Sequence, residues 1–81
     1  MGENEKKFDD ILDCVGLYCP VPIFETRKKM DILKKGQILK MMADDPGSKP
    51  DIESWSKSTG NELLGVDEED GVFTFYIKKK Q

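Results

Sequence analysis

"DCVGLYCPVPIFETRKKM", residues 13–30, contains the change of hydrophobic period on which the fold turns. On its N-terminal side the chain alternates. In "FDDILDC" (8–14), Phe8, Leu12 and Cys14 share one parity and Asp9, Ile11 and Asp13 the other. That pattern predicts a short strand with Leu12 and Cys14 turned inward. Gly16 ends it. After Pro20 the spacing becomes three or four residues, through Ile23, Thr26, Met30 and Leu33, with Arg27, Lys28 and Asp31 between them. This predicts an amphipathic helix from Pro20 to about Leu33. Pro20 suits a first turn, where no backbone donor is needed. Gly36 is the stop signal, and Lys34 and Lys35 before it bring cations to the negative end of the dipole.

Working outward, "QILKMMAD" (37–44) is nearly continuous in apolar character and reads as a central strand. The loop "DDPG" follows. Ser48 then acts as N-cap of a second helix, with Asp51 completing a short capping box. That helix turns Ile52, Trp55 and Thr59 inward and ends at Gly60. "NELLGVDEE" and "GVFTFYIKKK" are two strands joined as a hairpin around Asp70-Gly71. Phe73, Phe75 and Ile77 share one face of the last strand, and the face of Val72, Thr74 and Tyr76 is expected to be only partly exposed. The order is β-α-β-α-β-β. It predicts an α/β (α+β) two-layer sandwich, a mixed four-stranded sheet with two helices packed on one face. Residues 1–7 read as a flexible N-terminus and 8–81 as a single domain.

Eighty-one residues allow one modest core. With 37% hydrophobic and 36% charged residues the chain belongs with globular proteins. No apolar run approaches the roughly 20 residues of a membrane span. "MGENEKKF" lacks the apolar core of a secretory signal, so a cytoplasmic location is expected. A net charge of −3 argues against a protein devoted to nucleic-acid phosphates. The basic runs Arg27-Lys28-Lys29, Lys34-Lys35 and Lys78-Lys79-Lys80 read as solvated faces. Histidine is absent, which excludes Ser-His and Cys-His nucleophile pairs and imidazole zinc sites. Met41 and Met42 read as core rather than soft-metal ligands, Asp44-Asp45 as a turn, and Trp55, Phe73 and Phe75 as core rather than a base-stacking platform. No bound metal is expected.

The chemistry then rests on cysteine. Cys14 and Cys19 are spaced C-x4-C, which is neither a C-x-x-C redox motif nor half of a zinc site. Cys14 shares parity with Leu12 and reads as core, its alternative being a resolving thiol for Cys19. Cys19 is placed as N-cap of the first helix, with Pro20, Val21 and Pro22 as its first three residues. There the unpaired amides and the positive end of the macrodipole stabilise a thiolate. The two prolines remove donors and fix φ, leaving the Val21 amide as the main donor near the sulfur. No base, side-chain oxyanion hole or deep cavity is evident. A nucleophile without the rest of an active site suggests a stoichiometric carrier rather than a stand-alone enzyme.

"LDCVGLYCPVP", followed by "TRKKM", the Gly36 turn and "ADDP", resembles the TusA/SirA family of small sulfur-carrier proteins, whose hallmark is C-P-x-P at the start of the first helix. The likeness runs from about Ile11 to Ile77. It implies that Cys19 bears a transient persulfide, with no other cofactor. Gly16, Pro20, Val21 and Pro22 support the site, and Arg27, Lys28, Asp44 and Asp45 stand where partners dock. It further implies a sulfur donor such as a cysteine desulfurase and a downstream acceptor protein. The sulfur could end in 2-thiouridine of transfer RNA or another sulfur relay. Nucleic acid is not expected as a direct ligand, nor insertion into a membrane, and a monomer is the simplest state. Cys14, where that family's tRNA-thiolation members usually carry a small residue, leaves the pathway open. Two alternatives stand beside this reading: a redox protein cycling Cys14 and Cys19 through a disulfide, and a regulatory module binding RNA through the basic side of the first helix.

Overall fold

The computed structural model describes residues 8–18 and 21–80. Within them run β1 (Asp10–Cys14), α1 (Val21–Ile32), β2 (Ile38–Ala43), α2 (Ser48–Thr59), β3 (Glu62–Glu69) and β4 (Val72–Lys78). The sheet order is β1-β2-β4-β3. β1 pairs parallel to β2, while β4 pairs antiparallel to both β2 and β3. The sheet is therefore mixed, and β2 is interior as its apolar run predicts. α1 packs over β1 and β2, α2 over β3 and β4, and the two helices touch. Among the described residues no helix is long and apolar enough to cross a membrane. The flexible segment expected at residues 1–7 lies outside the described residues.

The core sits between sheet and helices. Cys14, Leu39, Met41, Ala43, Phe75 and Ile77 project from the strands to meet Met30, Leu33 and Ile52, all buried. The inward face of α1 carries Pro22, Thr26 and Met30, with Ile23 partly buried against the same cluster. Side chains of this size contribute about 1.5–3 kcal/mol each when fully buried. Their alternation in β1 and β2 is what fixes the register. The hairpin turns at Asp70 (φ 54) and Gly71 (φ 81). Two successive positive-φ residues make the type I′ geometry that matches strand twist. A bulge between Leu63 and Gly65 bends the β3 edge.

Two details differ from the sequence reading. Ser48 is not the N-cap of α2; Gly47 is, without a side-chain cap. The turn 45–48 already closes through Ser48 N–H to the Asp45 carbonyl at 2.8 Å, and Asp51 N–H reaches the Gly47 carbonyl at 3.3 Å. The helix consequently starts one residue early and rolls Ser48 inward. Its buried stripe is Ser48, Ile52 and Ser56, with Trp55 and Thr59 half-buried beside it. The Ser48 and Ser56 hydroxyls, with that of Thr26, find no hydrogen-bond partner among the described residues. α2 ends at Gly60 (φ 77) as expected.

The second difference concerns the basic residues. Lys34 and Lys35 are exposed beyond the end of α1. The cation that meets the helix carbonyls is Lys79, whose Nζ donates to the Met30 and Leu33 oxygens at 2.7 Å each. Its backbone is pinned too, by Gly36 N–H to the Lys79 carbonyl at 2.7 Å and Lys79 N–H to the Gln37 carbonyl at 2.8 Å. β4 runs beside the start of β2, and this brings the C-terminal lysine under a helix end 46 residues earlier in the chain. Lys79 is thus a tertiary cap, not part of a solvated run.

Lys79→Met should lower unfolding stability by about 1–2 kcal/mol, the value of losing charged hydrogen bonds to partly buried carbonyls. Lys80→Met, which breaks a half-exposed pair with Glu62 at 3.5 Å, should change it by less than about 0.5 kcal/mol. Urea titration of the two variants checks the contrast.

Candidate thiol site

Parallel pairing puts the C-terminal ends of β1 and β2 at one edge, with Cys14 opposite Ala43. The crevice beyond such strand ends is where open α/β sheets commonly place their sites. Among the described residues three hydrogen bonds hold the chain leaving β1 there. Val15 N–H donates to Asp13 Oδ1 at 2.9 Å. Leu17 N–H donates to the Cys14 carbonyl at 3.1 Å. Gly16 N–H crosses to Asp44 Oδ1 at 2.9 Å. Gly16 has φ +90, and a Cβ built on it would meet nothing within 4 Å. The turn therefore demands glycine for its backbone conformation and not for space.

Cys19 and Pro20 lie outside the described residues, as does the expectation that Cys19 is the N-cap. Their neighbours are placed. Val21 N–H donates to the Tyr18 carbonyl at 2.8 Å, so the residues on either side of the Cys-Pro pair are hydrogen-bonded to each other. The Val21 amide was expected to serve the sulfur. It is instead committed to Tyr18, because the chain must reverse direction before entering α1. Pro22 has no donor, which leaves the first-turn amides of Ile23 and Phe24. Pro22 itself is buried and anchors the helix start against the core. Val15, Tyr18, Val21 and Phe24 are exposed, Tyr18 at 77%. They are exposed apolar side chains close in sequence to the Cys-Pro pair.

The other residues singled out by the sequence fall on both sides of this edge. Arg27 and Lys28 are exposed on α1, Lys28 pairing with Glu25 at 3.4 Å. Arg27 borders a groove of about 350 Å³ between α1 and α2, floored by Ile23, Met30 and Trp55 and closed by Lys79. Asp44 holds the Gly16 turn. Asp45 starts α2, accepting Gly47 N–H on Oδ1 at 3.3 Å and Ser48 N–H on its carbonyl. The positioning role of Asp44 is absent from the sequence reading. An aspartate directly after the second strand of a parallel pair is the signal that could have found it. Among the described residues no group of three or more His, Cys, Asp or Glu side chains could hold a metal.

Cys14 is wholly buried in the core. Burial pushes its thiol up to about 11, with the negative charges of Glu25 and Asp13 adding to the effect. Such a group is a neutral thiol at physiological pH and a poor nucleophile. The folded state favours the protonated form, so this contribution to stability is complete below about pH 9 and is lost as pH rises toward 11. The difference in unfolding free energy between wild type and Cys14→Ala should accordingly be flat at neutral pH and narrow over that alkaline window. Urea titrations of both proteins from pH 7 to 11 check it.

The architecture defines a small two-layer α/β protein whose Cys-Pro pair lies in the chain between a pinned turn and a helix start. The sulfurtransferase TusA family model matches residues 10–79, and the chain belongs to that family. It is 47% identical over 72 residues to the sulfur carrier protein TusA of Allochromatium vinosum, covering 89% of this chain and 95% of that one. It is also 47% identical over 73 residues to a putative sulfur carrier protein, YrkI, of Bacillus subtilis, covering 90% and 97% respectively. The crystal structure of a SirA-like protein from Desulfitobacterium hafniense superposes with a TM-score of 0.78 over 90% of this chain and all of that one. At 20% identity that likeness supports the fold alone.

Proposed function

We propose that this chain is a cytoplasmic sulfur carrier in which Cys19 takes up a sulfane sulfur as a persulfide and relays it to an acceptor protein. The observation that carries the reading is the position of Cys19 in the chain, between Tyr18 and the first residue of α1, in a family of sulfur carriers. Helix entry favours a thiolate over a thiol, and a terminal persulfide anion is favoured in the same way.

Both transfers are thiol exchanges. The Cys19 thiolate attacks the outer sulfur of a donor persulfide, forming a new S–S bond as the donor's own sulfur leaves as a thiolate. In the second step an acceptor thiolate attacks the outer sulfur now on Cys19. That S–S bond breaks, and Cys19 leaves as a thiolate, ready for another round. No net oxidation occurs. The donor is a cysteine desulfurase or an equivalent persulfide enzyme. The exposed Arg27 and Lys28 meet an acidic surface of the partner, the exposed side chains of Tyr18, Val21 and Phe24 supply apolar contact, and Asp44 and Asp45 border it. The sulfur passes on to tRNA 2-thiouridine synthesis or another relay. The buried, neutral state of Cys14 weighs against a disulfide cycle between the two cysteines.

Intact mass after incubation with a cysteine desulfurase and cysteine provides the test. Wild type and Cys14→Ala should gain one sulfur atom that reductant removes, and Cys19→Ser should gain none while keeping its fold by circular dichroism. Loading that persists in Cys19→Ser, or that requires Cys14, would sink the carrier reading.

A further inference from the structure

The groove of about 350 Å³ between α1 and α2 is large enough for a small molecule, and its polar groups are nearly all donors. Along α1 it is lined from Ile23 past Arg27 to Met30 and Asp31, a stretch of about 12 Å at 1.5 Å per residue. Trp55 and Thr59 of α2 face them, and Asn61 and Lys79 complete the lining. The floor of Ile23, Met30 and Trp55 is apolar.

Hydrogen accounting at the Lys79 end leaves donors over. Two of the three Lys79 Nζ hydrogens go to the Met30 and Leu33 carbonyls at 2.7 Å each. Asn61 accepts the Lys80 N–H on Oδ1 at 3.0 Å and donates one Nδ2 hydrogen to Thr59 Oγ1 at 3.0 Å. Thr59 in turn gives its hydroxyl hydrogen to the Trp55 carbonyl at 2.8 Å. One ammonium hydrogen and one amide hydrogen remain. Arg27 adds a guanidinium with no hydrogen-bond or ion-pair partner among the described residues. The Trp55 indole N–H likewise has no acceptor among them. Against these donors stands Asp31, the only carboxylate among the described residues of the lining, on an exposed position of α1.

We propose that the groove binds a small organic anion, a carboxylate or sulfonate carried on a flat apolar body. The head group accepts from Lys79 and Asn61, with Arg27 beside it, and the body lies over Met30 and Trp55 toward Ile23. A cation would meet two like charges with Asp31 as its one counter-charge. A bare inorganic anion would leave the apolar floor uncovered, and a neutral ligand would leave the cations unmatched. The site uses neither cysteine, so it does not depend on the carrier chemistry.

Trp55 is the only tryptophan of the chain, which makes its indole N–H a single resonance inside the groove. Titration of the full chain, labelled with nitrogen-15, with indole-3-acetate and with the neutral indole-3-acetamide decides the proposal. The acetate should move the Trp55 indole and Asn61 side-chain signals saturably with a Kd of about 1 mM, the affinity of about a dozen heavy atoms at ordinary ligand efficiency. The amide should bind roughly tenfold more weakly, because it loses the charge-assisted hydrogen bonds. Arg27→Leu should weaken acetate binding about threefold, and Asp31→Asn, which removes the opposing carboxylate, should strengthen it about twofold. Both positions are exposed, so the remaining amide spectrum should be unchanged. Equal binding of acid and amide would overturn the anion preference. Absence of a saturable shift at Trp55 up to about 10 mM acetate, or shifts that map to another surface, would overturn the site.

Discussion

Parallel pairing of β1 with β2 is the constraint from which the rest of the structure follows. Parallel neighbours cannot be joined by a tight turn, so the chain between them must cross the sheet as α1. The helix must then begin at the edge where β1 ends. The same pairing brings the end of β2 to that edge and sets Asp44 within a hydrogen bond of Gly16. A single topological choice thus locates the thiol-bearing segment, the helix terminus beside it and the carboxylate that steadies its approach. The antiparallel hairpin contributes elsewhere: β4 fills the centre of the sheet and delivers Lys79 to the other end of α1.

Two cysteines five positions apart fall in different segments of this arrangement. Cys14 is the last residue of β1 and points into the core, where loss of solvent raises its pKa and keeps it neutral. Cys19 lies in the chain between Tyr18 and the start of α1. The end of β1 separates them, not the identity of the residue. The same logic divides the sheet. One face is closed by helices, and the other carries charged and apolar side chains in mixed rows.

Much of the fold is legible in one sequence because burial leaves a period. Alternation in β1, the apolar run of β2, the three-and-four spacing of α1 and the Asp70-Gly71 turn all appear as expected. The Ser48 cap does not. Ser48 has the right chemistry for a cap, but the preceding turn closes first and carries it inside. The Val21 amide is a similar case: local reasoning assigned it to the sulfur, and the reversal at Tyr18 uses it instead. Local rules cannot arbitrate between two acceptors for one donor when the second depends on the path of the chain.

The sequence by itself determined the order of elements, the inward position of Cys14 and the motif that marks Cys19, since each is written in short-range spacing or in adjacent residues. Only the tertiary structure decided that Asp44 steadies the Gly16 turn and that Lys79 caps α1. Each of these joins residues far apart in the chain, and strand pairing, which carries no local signature of its register partner, is what brings them together.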